Sequence, residues 1–233
     1  MMDRYHKDSN TSYILGISLI IEALLEVPES VKEVYLSTKA NKNIELSKLI
    51  ELCDKHRINI IYDDSVINKL SLKENCYGIG VFNKFSKPLE TKKHIVLYNF
   101  SNEGELGTIL RSATSFDFKD IVLINSSIDI FDPKVIRASM GSFFHVNLKK
   151  YDSLNDYFND YKYNIYPFTN NGTKELKSIS FKEPYSIIIP SNANEFNDSF
   201  IESYYIEHKN RDVYITSLSA IVFNYAYHLN LKR

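Results

Sequence analysis

Arg111 is the residue whose setting in this sequence most clearly allows chemistry. It lies in the stretch Leu106-Gly107-Thr108-Ile109-Leu110-Arg111-Ser112-Ala113. If that stretch is helical, Leu106, Ile109, Leu110 and Ala113 share one face, and Arg111 projects from the other with Thr108 and Ser115. A guanidinium at the end of a parallel strand's crossover unit stands where open α/β sheets place their ligands. The same residue would also serve as a solvated helix arginine, and its type alone does not choose.

Two other stretches carry the same ambiguity. In Arg137-Ala138-Ser139-Met140-Gly141, serine and glycine at a helix end would let an RNA phosphate or a partner backbone approach closely, or would simply terminate the helix. In Ser217-Leu218-Ser219, a hydroxyl is available to a ligand or to a helix N-cap. The six histidines are scattered, with no His-x-x-x-His or Cys-x-x-Cys pair, so no metal site is expected. There is no Walker phosphate loop and no Gly-x-Ser-x-Gly elbow, and Gly104-Glu105-Leu106-Gly107 lacks the spacing of a dinucleotide fingerprint.

The elements that must position these residues read as two α/β stretches. In the first, Ile14 to Leu25 predicts a helix and Glu33 to Leu36 a strand. Leu46, Leu49, Ile50 and Cys53 mark a second helix, followed by strands at 58–62 and 78–82. Lys84 to Lys93 has Pro88 and several lysines but no apolar periodicity, and it makes the domain boundary. Beyond it, His94 to Tyr98 is an apolar run suited to a buried parallel strand, and a helix and the strand Ile121 to Ile124 follow. Asp132-Pro133 predicts a helix start and Gly141 its stop. Further strands are expected at Phe143 to Leu148, Tyr163 to Tyr166, Ser186 to Ile189 and Val213 to Ile215. A closing helix carries Leu218, Ile221, Val222, Tyr225 and Leu229.

The composition is that of an ordinary globular chain, with 44% hydrophobic and 24% charged residues. The longest apolar run, Ile14 to Val27, is interrupted by Glu22 and Glu26 and falls short of the roughly 20 residues that span a bilayer. No membrane span and no signal peptide are expected. With only Cys53 and Cys76, a disulfide framework is not indicated, and the cytoplasm is the expected location. A net charge of −1 counts mildly against a nucleic-acid partner, although a local basic patch among the 28 Lys and Arg residues would suffice.

In order along the chain, these stretches resemble the three motifs of SpoU-type RNA methyltransferases, members of the SPOUT superfamily. Leu106 to Ala113 after the strand His94 to Tyr98 resembles the first. The segment from Asp132 to Phe144 is the most specific match, and Ser217-Leu218-Ser219 stands at the third. The opening, with Gly16, Ile21 to Leu24 and Val31 to Leu36, is similar to the small RNA-binding domain of ribosomal-protein type that many members carry. Cys76-Tyr77-Gly78-Ile79 sits where such proteins often have His-Gln-Gly.

The resemblance implies an α/β RNA-binding domain at 1–90 and a SPOUT-type α/β domain with a C-terminal trefoil knot at 91–233. It implies methyl transfer from S-adenosylmethionine to a ribose 2'-hydroxyl of rRNA or tRNA, in a homodimer whose active site draws on both chains. Arg111 and Ser217 would be catalytic; Pro190, Asn192, Ile215 and Leu218 would hold the cofactor; Arg137 and Ser139 would contact RNA. The pattern departs from the family at Glu105, where an asparagine is usual, at Asn192, within Pro190-Ser191-Asn192-Ala193 in place of Gly-Asn-Glu-Gly, and at Ser219, where an asparagine is usual. Asn102 lies near the first departure, and Ile206 rivals Ile215 for the isoleucine position. A second reading keeps the scaffold without the chemistry, as an RNA-binding or ribosome-associated protein. A third, a small-molecule α/β enzyme, has less support.

Overall fold

A computed structural model of the chain describes residues 4–71, 76–169, 172–192, 202–209 and 213–231. The chain divides into two compact units, Met1–Phe85 with Asp129–His145, and Ser86–Ile128 with Val146–Arg233. The first boundary falls close to the expected linker. Asp129–His145, expected in the second domain, belongs instead to the first unit.

The first unit begins with β1 (Thr11–Leu15), α1 (Ile17–Glu26), β2 (Val31–Leu36), α2 (Leu46–His56), β3 (Asn59–Tyr62), α3 (Asp64–Leu70) and β4 (Gly78–Asn83). Its four-stranded sheet has the order β1-β4-β2-β3, with β4 antiparallel to both neighbours and β3 parallel to β2. The expected helix from Ile14 starts three residues later. Ile14 is a strand residue paired with Gly80, and Gly16, at φ 129°, turns the chain from strand to helix. α1 then buries Ile17, Ile20, Ile21 and Leu24. α3 has no counterpart among the expected elements; Asp63 caps it by accepting from the Ser65 and Val66 amides.

The chain continues through β5 (Lys93–Tyr98), α4 (Glu103–Ser115) and β6 (Asp120–Ile124), then returns to the first unit for α5 (Pro133–Ala138). There Phe131, Phe143 and Phe144 join Phe82 and Phe85 in one aromatic cluster, with ring centroids 5.7 Å apart for Phe82–Phe144 and 5.8 Å for Phe85–Phe131. This cluster overturns the strand expected from Phe143. Ser142–His145 is a 3-10 turn whose rings fill the core, and the strand starts only at Asn147.

The second unit is completed by β7 (Asn147–Tyr151), α6 (Leu154–Asp160), β8 (Asn164–Pro167), β9 (Lys174–Glu175), β10 (Tyr185–Pro190), β11 (Tyr204–Tyr205) and α7 (Ile215–Leu231). Its main sheet is five-stranded, order β7-β6-β5-β10-β8, and parallel throughout. Both faces are covered, so the strands read as continuous apolar runs; Ile95 to Leu97, Ile121 to Ile124 and Ile187 to Ile189 are fully buried. The short pair β9 and β11 is also parallel. The strand expected at Val213 to Ile215 is absent, because Ile215 is the first residue of α7.

At the N-terminal edge of this sheet His94, Asp120, Asn147 and Ser186 are buried together. His94 Nδ1 lies 2.8 Å from the Tyr157 hydroxyl, itself 2.6 Å from Ser186 Oγ. Asp120 accepts from Asn147 Nδ2 at 2.7 Å and from the Glu90 and Thr91 amides. His94 Nε2 faces Asp120 at 3.8 Å without a hydrogen-bond partner among the described residues. Burial pushes the His94 imidazole below its ordinary 6.5, against the Asp120 charge and the Thr91 carbonyl. His94 is thus neutral, tied to Tyr157 through Nδ1 with Nε2 turned toward the carboxylate.

Candidate active site

The chain runs outward from β5 through β6 to β7, then crosses to β8 and comes back to β10 on the other side of β5. The strand order thus reverses between β5 and β10, and the crevice beyond the carboxyl ends of such a pair is where doubly wound sheets bind ligands. Tyr98 and Pro190 are those ends, joined where Ser191 N donates to Tyr98 O at 2.8 Å.

α4 leaves this edge. Asn102 caps it, accepting from the Glu105 amide at 3.0 Å, so its side-chain oxygen is committed to the helix start. Leu106, Ile109, Leu110 and Ala113 are fully buried, while Thr108, Arg111 and Ser115 are exposed, as the helical spacing requires. The exposed side carries hydroxyls bonded back to the helix, Thr108 to Gly104 O and Ser115 to Arg111 O, each at 2.9 Å. Among the described residues the Arg111 guanidinium has no ion-pair or hydrogen-bond partner, which leaves its donors available to an anion.

α7 packs on α4, and just beyond the end of α4 Phe116 meets Tyr227 at 6.1 Å and Phe118 meets Phe223 at 5.3 Å between ring centroids. Tyr214, immediately before α7, donates its hydroxyl to Glu105 Oε1 at 2.5 Å. The hydrogen bond to that carboxylate, which only the protonated phenol can donate, and then its charge raise the Tyr214 phenol above its ordinary value. Within α7, Ile215 and Leu218 are buried, Ser217 is exposed inside the first turn, and Ser219 Oγ is spent on Ile215 O at 2.8 Å. Leu218 N donates to Tyr214 O, so what Leu218 offers a ligand is apolar surface.

The structure therefore gathers Arg111, Ser217, Pro190, Asn192, Ile215 and Leu218 into one unit, with Pro190 buried and Asn192 exposed at the end of β10. Ala193, last of the Pro190 segment, lies outside the described residues. Ile206 follows β11, away from any helix start. Gly172 meets that strand closely: an added Cβ would stand 2.5 Å from the Tyr204 carbonyl carbon.

Arg137 and Ser139 lie in the other unit. Ser139 is fully buried, donating to Ile136 O and accepting from Phe143 N, so its hydroxyl shapes the turn after α5. Arg137 is half-buried.

Asn99 and Asn125 are not singled out by the sequence. They follow β5 and β6 directly, both adopt positive φ (59° and 48°), and Asn125 Nδ2 donates to Asn99 Oδ1 at 2.6 Å. The signal for them is an asparagine closing each apolar run, the residue type besides glycine that most readily takes the left-handed conformation. Among the described residues no His, Cys, Asp and Glu group is placed to hold a metal, and no helix is long and apolar enough to cross a membrane.

The SpoU rRNA Methylase family matches residues 92–193. The mouse protein rRNA methyltransferase 3, mitochondrial (Mus musculus), is 35% identical over 80 residues, 29% of this chain and 19% of its own length. The chain thus aligns with about a fifth of that curated relative. Two solved structures share the fold at low identity. The SpoU methyltransferase AviRb from Streptomyces viridochromogenes, in complex with AdoMet, superimposes with TM-score 0.79 at 14% identity, covering 96% of this chain and 92% of that one. An RNA 2'-O ribose methyltransferase gives 0.77 at 17%, covering 95% and 90%.

Proposed function

We propose, from the SpoU rRNA Methylase match over residues 92–193, that the chain is a SpoU-type methylase and that it methylates a ribose 2'-hydroxyl of rRNA or tRNA with S-adenosylmethionine. The observation that carries the reading is Arg111, exposed and without a partner among the described residues, on the helix that leaves the switch point of a parallel sheet. The reading includes a cytoplasmic homodimer and a trefoil knot in the segment after β10.

The residues present fit the cofactor in kind. Pro190, Ile215 and Leu218 are uncharged and apolar, as a partner for adenosine requires, and Asn192 is an exposed polar group in the same unit. When bound, S-adenosylmethionine supplies an electrophilic methyl group. Arg111 keeps its proton, since guanidinium pKa values exceed about 12, so it is no base. Its role is to hold an RNA phosphate and to stabilise negative charge developing on the 2'-oxygen. The proton released from the 2'-hydroxyl as the oxygen is methylated passes to solvent water. Ser217, exposed in the first turn of α7, is available to orient the ribose.

The test is transfer of tritiated methyl groups from S-adenosylmethionine to undermethylated rRNA and tRNA, with cofactor binding followed separately by calorimetry. Cofactor binding and transfer that is lost in Arg111→Ala support the proposal. RNA binding with no cofactor binding at millimolar concentration overturns it in favour of a scaffold without chemistry.

A further inference from the structure

The first unit contains a cleft of ≈ 300 Å³ built from four separate stretches: the chain before β1, β1 itself, the end of α3 and the start of α5. Arg4, Lys69 and Lys134 stand around it and are exposed. Against these cations there is one lining carboxylate, Asp132, and its Oδ1 already accepts from the Lys134 amide at 2.8 Å. Asp129 and Asp8 also act on Tyr5, so with Lys84 beside that ring the four cations around the cleft exceed its carboxylates by a narrow margin.

The floor is different in kind. Leu15 and Leu70 belong to the packed cluster around Ile67 and Ile79, and Tyr13 packs on the same cluster. Tyr5 forms another wall and is held rigid, with its hydroxyl bonded to Asp129 and Lys84 Nζ 4.9 Å from its ring centroid. Inorganic phosphate alone has no use for an aromatic and aliphatic floor. A flat, uncharged ring attached to an anion uses both parts of the cleft, and aromatic walls with a basic rim are the means by which proteins hold single-stranded nucleic acid. The volume lies at the small end of the range for ligand sites, roughly 300–1,000 Å³, which suits one nucleotide step.

We propose that this cleft binds one nucleotide of a single-stranded RNA segment, its base against Tyr13 and Tyr5 and its flanking phosphates against Arg4, Lys69 and Lys134. The assignment of RNA as the ligand rests on the methyltransferase reading. Arg111 and the cofactor residues are not part of the cleft.

The experiment is fluorescence anisotropy with a 5'-labelled single-stranded RNA decamer at several salt concentrations, with no cofactor present. It needs neither cofactor nor turnover, so its outcome is separable from success or failure of methyl transfer. Lys69→Ala with Lys134→Ala should weaken binding about tenfold or more and lower the slope of log K against log salt by roughly 1.4, about 0.7 for each phosphate no longer neutralised. Tyr13→Ala should weaken it roughly 5- to 100-fold, as expected when a base stack is removed, and Tyr13→Phe should restore most of the affinity. Lys48→Ala with Lys55→Ala, the same charge change on the exposed face of α2, should stay within about twofold of the parent. Equal weakening in both lysine pairs, parental binding in the Lys69 and Lys134 variant, or competition by free uridine monophosphate as strong as that of the unlabelled decamer would each overturn the proposal.

Discussion

Tyr214 and Glu105 are 109 residues apart in sequence and share a 2.5 Å hydrogen bond. The bond links the first turn of the helix that bears Arg111 to the residue preceding the helix that bears Ser217. Glu105 stands where the SpoU-type pattern usually has an asparagine, and here its carboxylate is held by Tyr214.

With that carboxylate facing it, the Tyr214 phenol titrates above its ordinary 10.0. Glu105→Gln removes the negative charge and should bring the Tyr214 titration down toward that value. Carbon-13 NMR of labelled tyrosine, with Tyr214→Phe to assign the resonance, follows the site directly. An unchanged midpoint in Glu105→Gln would show that the hydrogen bond does not form in solution.

Arg111→Ala should reduce methyl transfer by on the order of a hundredfold or more, the scale for removing one charge-stabilising donor. Stability should change by no more than about 0.5 kcal/mol, because the side chain is exposed and has no partner among the described residues. Arg111→Lys should remain impaired, since a point charge does not replace a planar fork of donors. Turnover and thermal melting of the same preparations separate the two effects.

Buried His94 makes stability depend on pH. Its folded pKa lies below the 6.5 of the free imidazole, so below about pH 6.5 the unfolded chain binds a proton that the folded chain does not. This contribution is complete above pH 6.5 and declines as pH falls from there toward the folded pKa, by at most about 1.4 kcal/mol per pH unit. Urea unfolding at pH 7.5 and pH 5.5 should show the decline. His94→Phe, whatever its absolute stability, should have a shallower pH dependence; an identical slope would assign the effect to other groups.

Gly141→Ala should destabilise the protein by roughly 1–3 kcal/mol. Gly141 has φ 91°, and an added Cβ would stand 2.7 Å from Glu22 Cγ, so both backbone and space oppose the methyl group. The neighbouring Glu22 is also engaged, meeting His145 Nε2 at 2.7 Å, and has little freedom to move aside. Chemical denaturation of the purified variant gives the number.

The parallel strands of the second unit were legible in the sequence because burial on both faces leaves continuous runs such as Ile121 to Ile124. α4 was legible because its thirteen residues give several repeats of the apolar spacing. α3 and α6 were not, since seven residues with one or two buried positions show almost no periodicity; only Asp63 and Ser153, which cap them, marked their starts. Phe143 and Phe144 look like strand residues by type, yet a neighbouring aromatic cluster can use the same rings in a 3-10 turn. In the candidate site Arg111 stood out because its own helix exposes it. Asn99 with Asn125, and Glu105 with Tyr214, depend on sheet register and helix packing between distant segments, which one chain read in order does not reveal.

The return of Asp129–His145 to the first unit has a practical consequence for dissecting the protein. Neither unit is a single stretch of chain, so a cut near residue 90 divides the first unit from its own segment Asp129–His145. A fragment ending there would keep Phe82 and Phe85 but lack Phe131, Phe143 and Phe144, and would expose the rings that normally close its core. Excision would instead require the seventeen residues of that segment to be supplied with the fragment, as a fused extension or as a second peptide that refolds with it.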